Sequence, residues 1–564
     1  MPIIEVNLGD LERLTGMTLT VDKLQEIIFS TKCEIDSVSE DTIFIEVSAD
    51  RPDLFSAEGI ARLIRTLHLG KSSIYKIKDG ETTLTVDSSV KDVRPFIACA
   101  IVRDLSLYEE SVKQIMQLQE KLHITYCRNR SKASIGVYDM DTLTPPFKYV
   151  ALSPDQISFK PLGYSTEMTA EEILQITEKG MEYAHLLEDK PRYPLLLDSR
   201  NIVLSMPPII NSEDTKVTVD TTDVFIDVTG IHWKTVNKML SIMAVNISER
   251  GKGEIERVKI ILPENKSIYT PVTNEKAFKI SIDYIRKMLG IDIDEKFVEE
   301  KLRAHGFTVK SISENELLIT PPFYRVDFLH PIDFVEEVAI IYGYNNLSPI
   351  PPKVFTFGSL TDETVLSEKV KDIMIGLGFQ EICSFTFTNR DILFKKTLRL
   401  EEEVVEVEKP ISLEYTVLRD RLFPILLDFV SKNAHAELPQ KIFEVGDVVK
   451  VDLKYETKAK NFRHICAMIT DDTLSFEAIQ APLFALMKAL NLKVSLRPLT
   501  KPYFIEGRAA EVLVDKEHVG ETGEVNPEVL LNFGIRTPVA FFEVNLTTLL
   551  PKVKKKFPYI FYGR

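Results

Sequence analysis

The run SPIPPKVFTFG at 348–358 constrains the fold most, because it places three prolines within residues 349–352. Proline has no backbone N–H to donate and its φ is fixed, so such a run continues neither a helix nor a central strand. One folded unit must end before it and another begin after it. At 564 residues the chain is also too long for a single hydrophobic core. Ordinary domain sizes imply about three to five domains.

Hydrophobic residues make up 44% of the chain and charged residues 27%, the balance of a folded soluble protein. No apolar run reaches the roughly eighteen residues a membrane span needs. The opening MPIIEVNLGDLERL turns acidic at once and lacks the layout of a signal peptide, so a cytoplasmic protein is expected. Cys33, Cys99, Cys127, Cys383 and Cys466 form no C-x-x-C pair, which argues against a zinc ribbon or a disulfide framework and for buried free thiols. The net charge of -15 leaves a nucleic-acid partner open, because phosphate recognition needs a local basic surface and not a basic average. Two local clusters qualify: Arg128, Arg130 and Lys132, and the terminal Lys552, Lys554, Lys555 and Lys556. Each alone is more often a solvated surface than a binding site.

Patterning divides the chain into four parts. Residues 1–90 form an N-terminal α/β domain, with a strand IIEVNL, a helix over Val21–Ser30, a strand over Ile43–Ser48 and a helix capped by Ser56 and stopped by Gly70. The polar stretch Lys78–Asp92 is expected to be a linker. Residues 91–260 alternate strands (RPFIACAIV, SIGVYDM, PLLLDS, DVFIDVTG) with helices (Glu109–Leu122 and WKTVNKMLSIMAVNISERG), a mixed α/β domain. Residues 275–347 form a smaller, largely helical unit, with PENKSIYTPVTNEKAF as the linker before it. Residues 355–564 open with a helix Glu363–Leu377 and continue through GFQEICSFTFTNRD, KIFEVGDVVKV and AAEVLVDKEHVGETGEV, an antiparallel sheet with flanking helices.

The segment FYRVDFLHPIDFVEEVAIIYGYNN, Phe323–Asn346, carries the densest chemistry. Pro331 suits the first position of a helix. At about 100° per residue, Val335, Val338, Ala339 and Tyr342 share one face. Asp333, Glu336 and Glu337 share the opposite face, and Asp327 lies just upstream. Converging carboxylates repel unless a cation sits among them, and hard oxygen ligands select Mg2+ or Ca2+ over zinc. Acids near a helix N-terminus also simply complement its dipole. Spacing alone leaves both readings open.

This segment resembles the signature of the small DNA-binding-like module in the β subunit of phenylalanyl-tRNA synthetases. VSADRPDLFSAEGIARL resembles that family's N-terminal signature. QEKLHITYCRNRSKASIGVYDMD, EKGMEYAHLL, LSMPPIIN and FIDVTG resemble its editing domain. LGFQEICSFTFTNRD and FEVGDVV resemble its class II synthetase-like domain. The order of these matches covers nearly the whole chain. The absence of an oligonucleotide-fold insertion and of a C-terminal anticodon-binding module is similar to the archaeal/eukaryotic type.

The resemblance implies the β subunit of a phenylalanine–tRNA ligase, which with an α subunit in an (αβ)2 heterotetramer attaches phenylalanine to tRNA(Phe) using ATP. It implies a Mg2+ site at Asp327, Asp333, Glu336 and Glu337, shared with the α subunit. It also implies that residues 91–260 hydrolyse Tyr-tRNA(Phe) made in error. The last domain lacks the glycine-rich arginine motif with which class II enzymes grip ATP, so ATP is expected to be bound mainly by the α subunit. A pocket shaped for phenylalanine cannot strongly reject an added hydroxyl, whereas a second, hydrolytic sieve can. The richest polar constellation in the editing domain supplies Asp227 as acceptor for the tyrosine hydroxyl. It also offers Ser205 or Thr229 to hold the terminal adenosine or the water, Asn211 as a further polar candidate, and Leu196 for an apolar wall. Asp and Thr around a strand end are commonly turn or cap residues. Arg128 and Arg130 are candidates for tRNA contact, and His123 and His185 for bases, although structural roles explain the histidines as well. With no Ser-His-Asp or Cys-His nucleophile legible, hydrolysis by a positioned water is expected.

Two other functions compete: a free-standing aminoacyl-tRNA deacylase, and a non-enzymatic tRNA-binding scaffold. The synthetase-like domain speaks against both, since neither needs a docking module without ATP chemistry.

Overall fold

The computed structural model describes residues 1–557 apart from Ser30, Lys71, Ile74 and Phe357. It divides into two compact units at Pro352/Lys353, inside the proline-rich run. Among the described residues no helix is long and apolar enough to cross a membrane. Mixed α/β architecture runs through both units.

The first unit opens with strands Ile3–Asn7, Thr42–Val47 and Cys33–Ser39 in one antiparallel sheet, packed on helices Leu8–Thr15, Val21–Phe29 and Ala57–Leu69. Ser56 accepts from the Gly59 N–H, and Gly70 closes the helix at φ 61°, as the cap residues dictate. The expected end of the second helix, Ser30, lies outside the described residues.

A ten-stranded sheet dominates the unit. Its order is 210–211, 203–206, 193–197, 147–152, 76–86, 251–261, 96–105, 224–230 and 133–139, with 267–270 paired to 251–261. Helix Trp233–Ser248 lies against its centre. That helix is buried from Thr235 through Ser248, and its polar members Asn237, Lys238 and Asn246 hydrogen-bond to backbone carbonyls. The polar stretch expected as a linker, Lys78–Asp92, is instead mostly strand Lys76–Val86. It runs parallel to 251–261, and only Thr82, Leu84 and Val86 face inward as buried residues. The linker expected before residue 275 also contributes a strand, Ser267–Thr270.

Strands Phe278–Ser281, Glu316–Thr320 and Thr308–Ser313 form a small antiparallel sheet beneath helices Ile282–Leu289, Glu295–Ala304 and Pro331–Tyr342. Phe278, Phe307, Phe328 and Phe334 fill its core, Phe328 stacked on Phe334 at 4.5 Å.

The second unit is a seven-stranded sheet ordered 380–381, 440–451, 459–470, 539–545, 517–525, 504–514 and 494–498, antiparallel except for 380–381. Successive strand residues face opposite sides. Phe443, Ile465 and Ala467 pack on helices Asp362–Gly376, Phe476–Ala489 and Leu546–Lys556. Ile442, Cys466 and Met468 pack on Phe423–Lys432 and Pro527–Phe533. GFQEICSFTFTNRD is not one strand: it contributes only Gln380–Glu381 and Phe387–Thr388. Cys383, expected to be buried, is the exposed thiol among the five.

Candidate functional site

Strand Val224–Gly230 is buried along its whole length between Phe96–Leu105 and Ala133–Asp139. Phe225, Asp227 and Thr229 alternate onto one face. Asp227 sits opposite Gly136 on one neighbouring strand and Cys99 on the other. A Cβ on Gly136 would overlap both the Asp227 carboxylate and the Tyr138 hydroxyl, so only glycine leaves room for these two to meet. The Tyr138 hydroxyl donates to Asp227 Oδ1 and lies 2.7 Å from Ser205 Oγ.

A cavity of about 350 Å3 opens over this pair and is lined by Ser134, Gly136, Tyr138, Ser205, Asn211 and Asp227 among others. Burial pushes the Asp227 carboxyl up to about 7, against the Tyr138 hydrogen bond and the Arg94 charge, which pull it down. The group can therefore exchange between acid and carboxylate near neutrality.

Five of the sequence candidates, His123, Arg130, Ser205, Asn211 and Asp227, line this cavity. Thr229 lies outside the lining and is fully buried. Its hydroxyl accepts from Arg94 Nε at 3.0 Å and lies 3.0 Å from Ser134 Oγ, and Arg94 Nη2 donates to its carbonyl. Leu196, expected on the pocket wall, is fully buried in the apolar core with Leu204 and Phe225, although it pairs with Ser205 across the sheet.

Arg130 is not a free phosphate ligand. It is buried, donates to the Ile209 carbonyl at 2.7 Å and to Glu120 at 2.7 Å, and lies over the Tyr183 ring. Arg128 remains exposed in the same left-handed turn. His123 is no base either. Its Nε2 accepts from the Ile135 N–H at 2.9 Å, and its Nδ1 lies 3.2 Å from Glu120. Burial pushes it down to about 4, so the ring is neutral. His185 is exposed and is absent from the cavity lining.

The four acids of the small unit do not converge. Arg325 binds Asp327 through both side-chain oxygens, at 2.9 and 2.7 Å, and reaches Glu337 at 2.9 Å. Asp333 turns back onto the helix start, accepting from the N–H groups of Leu329 and His330 at 2.7 Å each. Glu336 points outward to Lys32 at 2.8 Å. Glu336 and Glu337 are about 100° apart on the helix, so one meets solvent and the other the interior. Among the described residues no three His, Cys, Asp or Glu are grouped to hold a metal ion. The expected four-acid Mg2+ site does not fit this arrangement.

Residues 348–546 match the family described as the phenylalanyl tRNA synthetase beta chain CLM domain. Residues 278–344 match the tRNA synthetase B5 domain, and 108–251 the B3/4 domain. The phenylalanine–tRNA ligase beta subunit of Pyrococcus furiosus is 40% identical over 557 residues, covering 97% of this chain and 100% of the relative. That of Korarchaeum cryptofilum is 41% identical over 551 residues, 97% of this chain and 98% of the relative. The chain belongs to the phenylalanyl-tRNA synthetase β-subunit family. A crystal structure of an N-terminal fragment of the Pyrococcus horikoshii β subunit superimposes with a TM-score of 0.58 at 41% identity, covering 60% of this chain and 99% of that one.

In this member of the phenylalanyl-tRNA synthetase β family, the sheet of the second unit carries a buried row of acids. Glu444, Cys466, Glu543 and Glu521 are direct neighbours across four strands. The segment Arg419–Phe423 closes over them. Arg419 pairs with Glu444 at 2.7 Å and Arg421 with Glu521 at 2.9 Å. The Leu422 and Phe423 N–H groups donate to Glu543, which also lies 2.7 Å from His464 Nδ1. The carboxylates are thus paired by the chain itself, while His464 Nε2 is buried without a hydrogen-bond partner among the described residues.

Sequence reading missed Tyr138, Gly136, Arg94 and Arg325. The alternation in SIGVYDM puts Gly136 and Tyr138 on one face, which was the available signal. Arg325 stands two residues before Asp327 in the acidic signature itself.

Proposed function

We propose that this chain is the β subunit of a phenylalanine–tRNA ligase of the archaeal/eukaryotic type. It works with a catalytic α subunit, in an (αβ)2 assembly, to attach phenylalanine to tRNA(Phe) with ATP, and it hydrolyses Tyr-tRNA(Phe) itself. The near-full-length similarity to relatives carrying that name supports the first part. The acid row closed by Arg419 and Arg421 supports leaving ATP to the α subunit. Localisation in the cytoplasm, with the translation machinery, follows from that role.

In this reading residues 91–260, with strand 76–86, form the editing domain. Residues 275–347 form the DNA-binding-like module, and 355–564 the non-catalytic synthetase-like domain. The observation that carries editing is Asp227 in the cavity, a buried acceptor beside Ser205 and Asn211. A tyrosyl hydroxyl adds a second donor beside Tyr138, which a phenylalanyl ring cannot supply. Water adds to the ester carbonyl carbon, the bond to the ribose oxygen breaks, and that oxygen takes the proton. No serine–histidine pair stands in the described lining, since His123 is held by Ile135, so water attacks directly. Thr229, locked by Arg94, fixes the strand that carries Asp227, and Leu196 backs the strand that carries Ser205. Arg128 offers an exposed charge to the tRNA backbone, and buried Arg130 shapes the wall. Magnesium enters with ATP in the complex. No step is derived through Asp327, Asp333, Glu336 and Glu337.

The test is deacylation of Tyr-tRNA(Phe) and Phe-tRNA(Phe) by the complex with its α subunit. Asp227→Ala is expected to lower the Tyr-tRNA rate by about ten- to a hundredfold, the worth of a hydrogen bond to a charged group, with phenylalanine charging retained. An unchanged rate would place the site elsewhere. Failure of the chain to associate with any α subunit would overturn the ligase reading.

A further inference from the structure

The candidate pocket already contains a phenol, supplied by the chain itself. The Tyr138 ring is 1% exposed and packs against Phe225 with centroids 6.0 Å apart. Its hydroxyl reaches past the vacant side of Gly136 to Asp227 Oδ1 and Ser205 Oγ. We propose that Tyr138 is a positioning residue of this pocket: its hydroxyl holds one oxygen of Asp227 in place and keeps the group an acceptor for a second phenol, that of a tyrosyl ester. The inference rests on the deacylase reading above and names a residue that reading does not use.

A carboxylate has two oxygens and about four lone-pair sites, so it accepts from two phenols at once. Tied through Oδ1, it presents Oδ2 to the incoming ring. The other titratable or charged groups facing Asp227 are Cys99 from strand 96–105, Tyr149 from strand 147–152, and Arg94. Burial keeps the Cys99 thiol and the Tyr149 phenol neutral, and Arg94 is the cation. Tyr138 is thus the neutral donor in direct contact that favours the charged form of Asp227. Without its hydroxyl, burial acts with less opposition, and Asp227 ionises only at higher pH.

The experiment is the pH profile of Tyr-tRNA(Phe) deacylation by the full complex, wild type against Tyr138→Phe, from pH 5.5 to 9. The wild-type rate should rise with pH through a midpoint near the Asp227 value of about 7. In Tyr138→Phe that midpoint should move up by about one pH unit, with the rate approaching wild type at the alkaline end. A uniform rate loss with an unmoved midpoint would overturn the proposal, because a merely structural role scales the rate without moving it. Should Tyr138→Phe fail to fold, Asp227→Asn takes its place. That variant should lose the acidic limb altogether, and a limb with the wild-type midpoint would overturn the proposal. A wild-type complex that deacylates at no pH overturns the deacylase reading itself, whereas an active one with an unmoved midpoint overturns the Tyr138 proposal alone.

Discussion

Arg325 and Glu337 lie twelve positions apart yet meet at 2.9 Å in the interior of the first unit, where both are almost fully buried. The same guanidinium holds Asp327. A buried cation therefore stands where spacing suggested a metal. Burial opposes ionisation of Glu337, but Arg325 and His305 outweigh it and hold the carboxyl well below its ordinary range.

Replacing Arg325 by Met should destabilise the chain by about 3–5 kcal/mol at pH 7, because two buried carboxylates lose the guanidinium that both of them bind. Glu337 is depressed in the folded state, so its contribution is complete above the unfolded value near 4.5 and is lost as pH falls below it. The gap between wild type and Arg325→Met in urea unfolding should accordingly hold from pH 7 to about pH 5 and shrink as pH falls from there toward pH 3. A gap independent of pH would point to lost packing instead.

Chelation should leave the thermal midpoint of the isolated chain unchanged, since its acids have protein partners already. Elemental analysis of wild type against Glu336→Ala is the direct check. Stoichiometric Mg2+ in the first and none in the second would show that the acids regroup around a metal.

Asp227 carries a stability cost of the opposite sign to that of Glu337. Its folded value of about 7 lies above the ordinary 3.8, so the folded state loses stability as pH rises between these values. At roughly 1.4 kcal/mol per pH unit the loss reaches about 4 kcal/mol above neutrality. Asp227→Asn should therefore gain stability relative to wild type from pH 5 to pH 8 in denaturant unfolding.

Gly136→Ala places a methyl group into the Tyr138–Asp227 contact. Overpacking of this kind costs about 1–3 kcal/mol, and deacylation should fall with it while phenylalanine charging persists. Equal deacylation by Gly136→Ala and wild type would mean that this contact is not used.

His123→Ala leaves the buried Ile135 N–H without its acceptor, a cost of about 1–3 kcal/mol in stability. Deacylation between pH 6 and pH 8 should keep its wild-type pH midpoint, because a ring held near 4 does not titrate there. A moved midpoint would restore His123 as a base.

Local signals were readable. Ser56, Gly70 and Pro331 mark helix ends because caps act within one turn, and the proline run marks a boundary because it removes hydrogen bonds wherever it lies. Lys76–Val86 was not readable as a strand. Its polar half looks like a linker until strand 251–261, some 170 residues later, pairs with it. Alternation showed that Asp227 lies on a buried strand, but not that Tyr138, 89 residues away, occupies one of its oxygens.

The sequence by itself determined the family, the helix caps, the division at the prolines and the acidic and polar candidates, since each depends on residue type and spacing along the chain. Only the tertiary structure decided what those candidates touch. It gave Arg325 to Asp327 and Glu337, and Tyr138 to Asp227, and it withdrew Arg130 and His123 into the interior. The physical reason is desolvation. A buried charge or polar atom is stable only with a partner, and folding chooses that partner by proximity in space from segments that share no pattern in sequence.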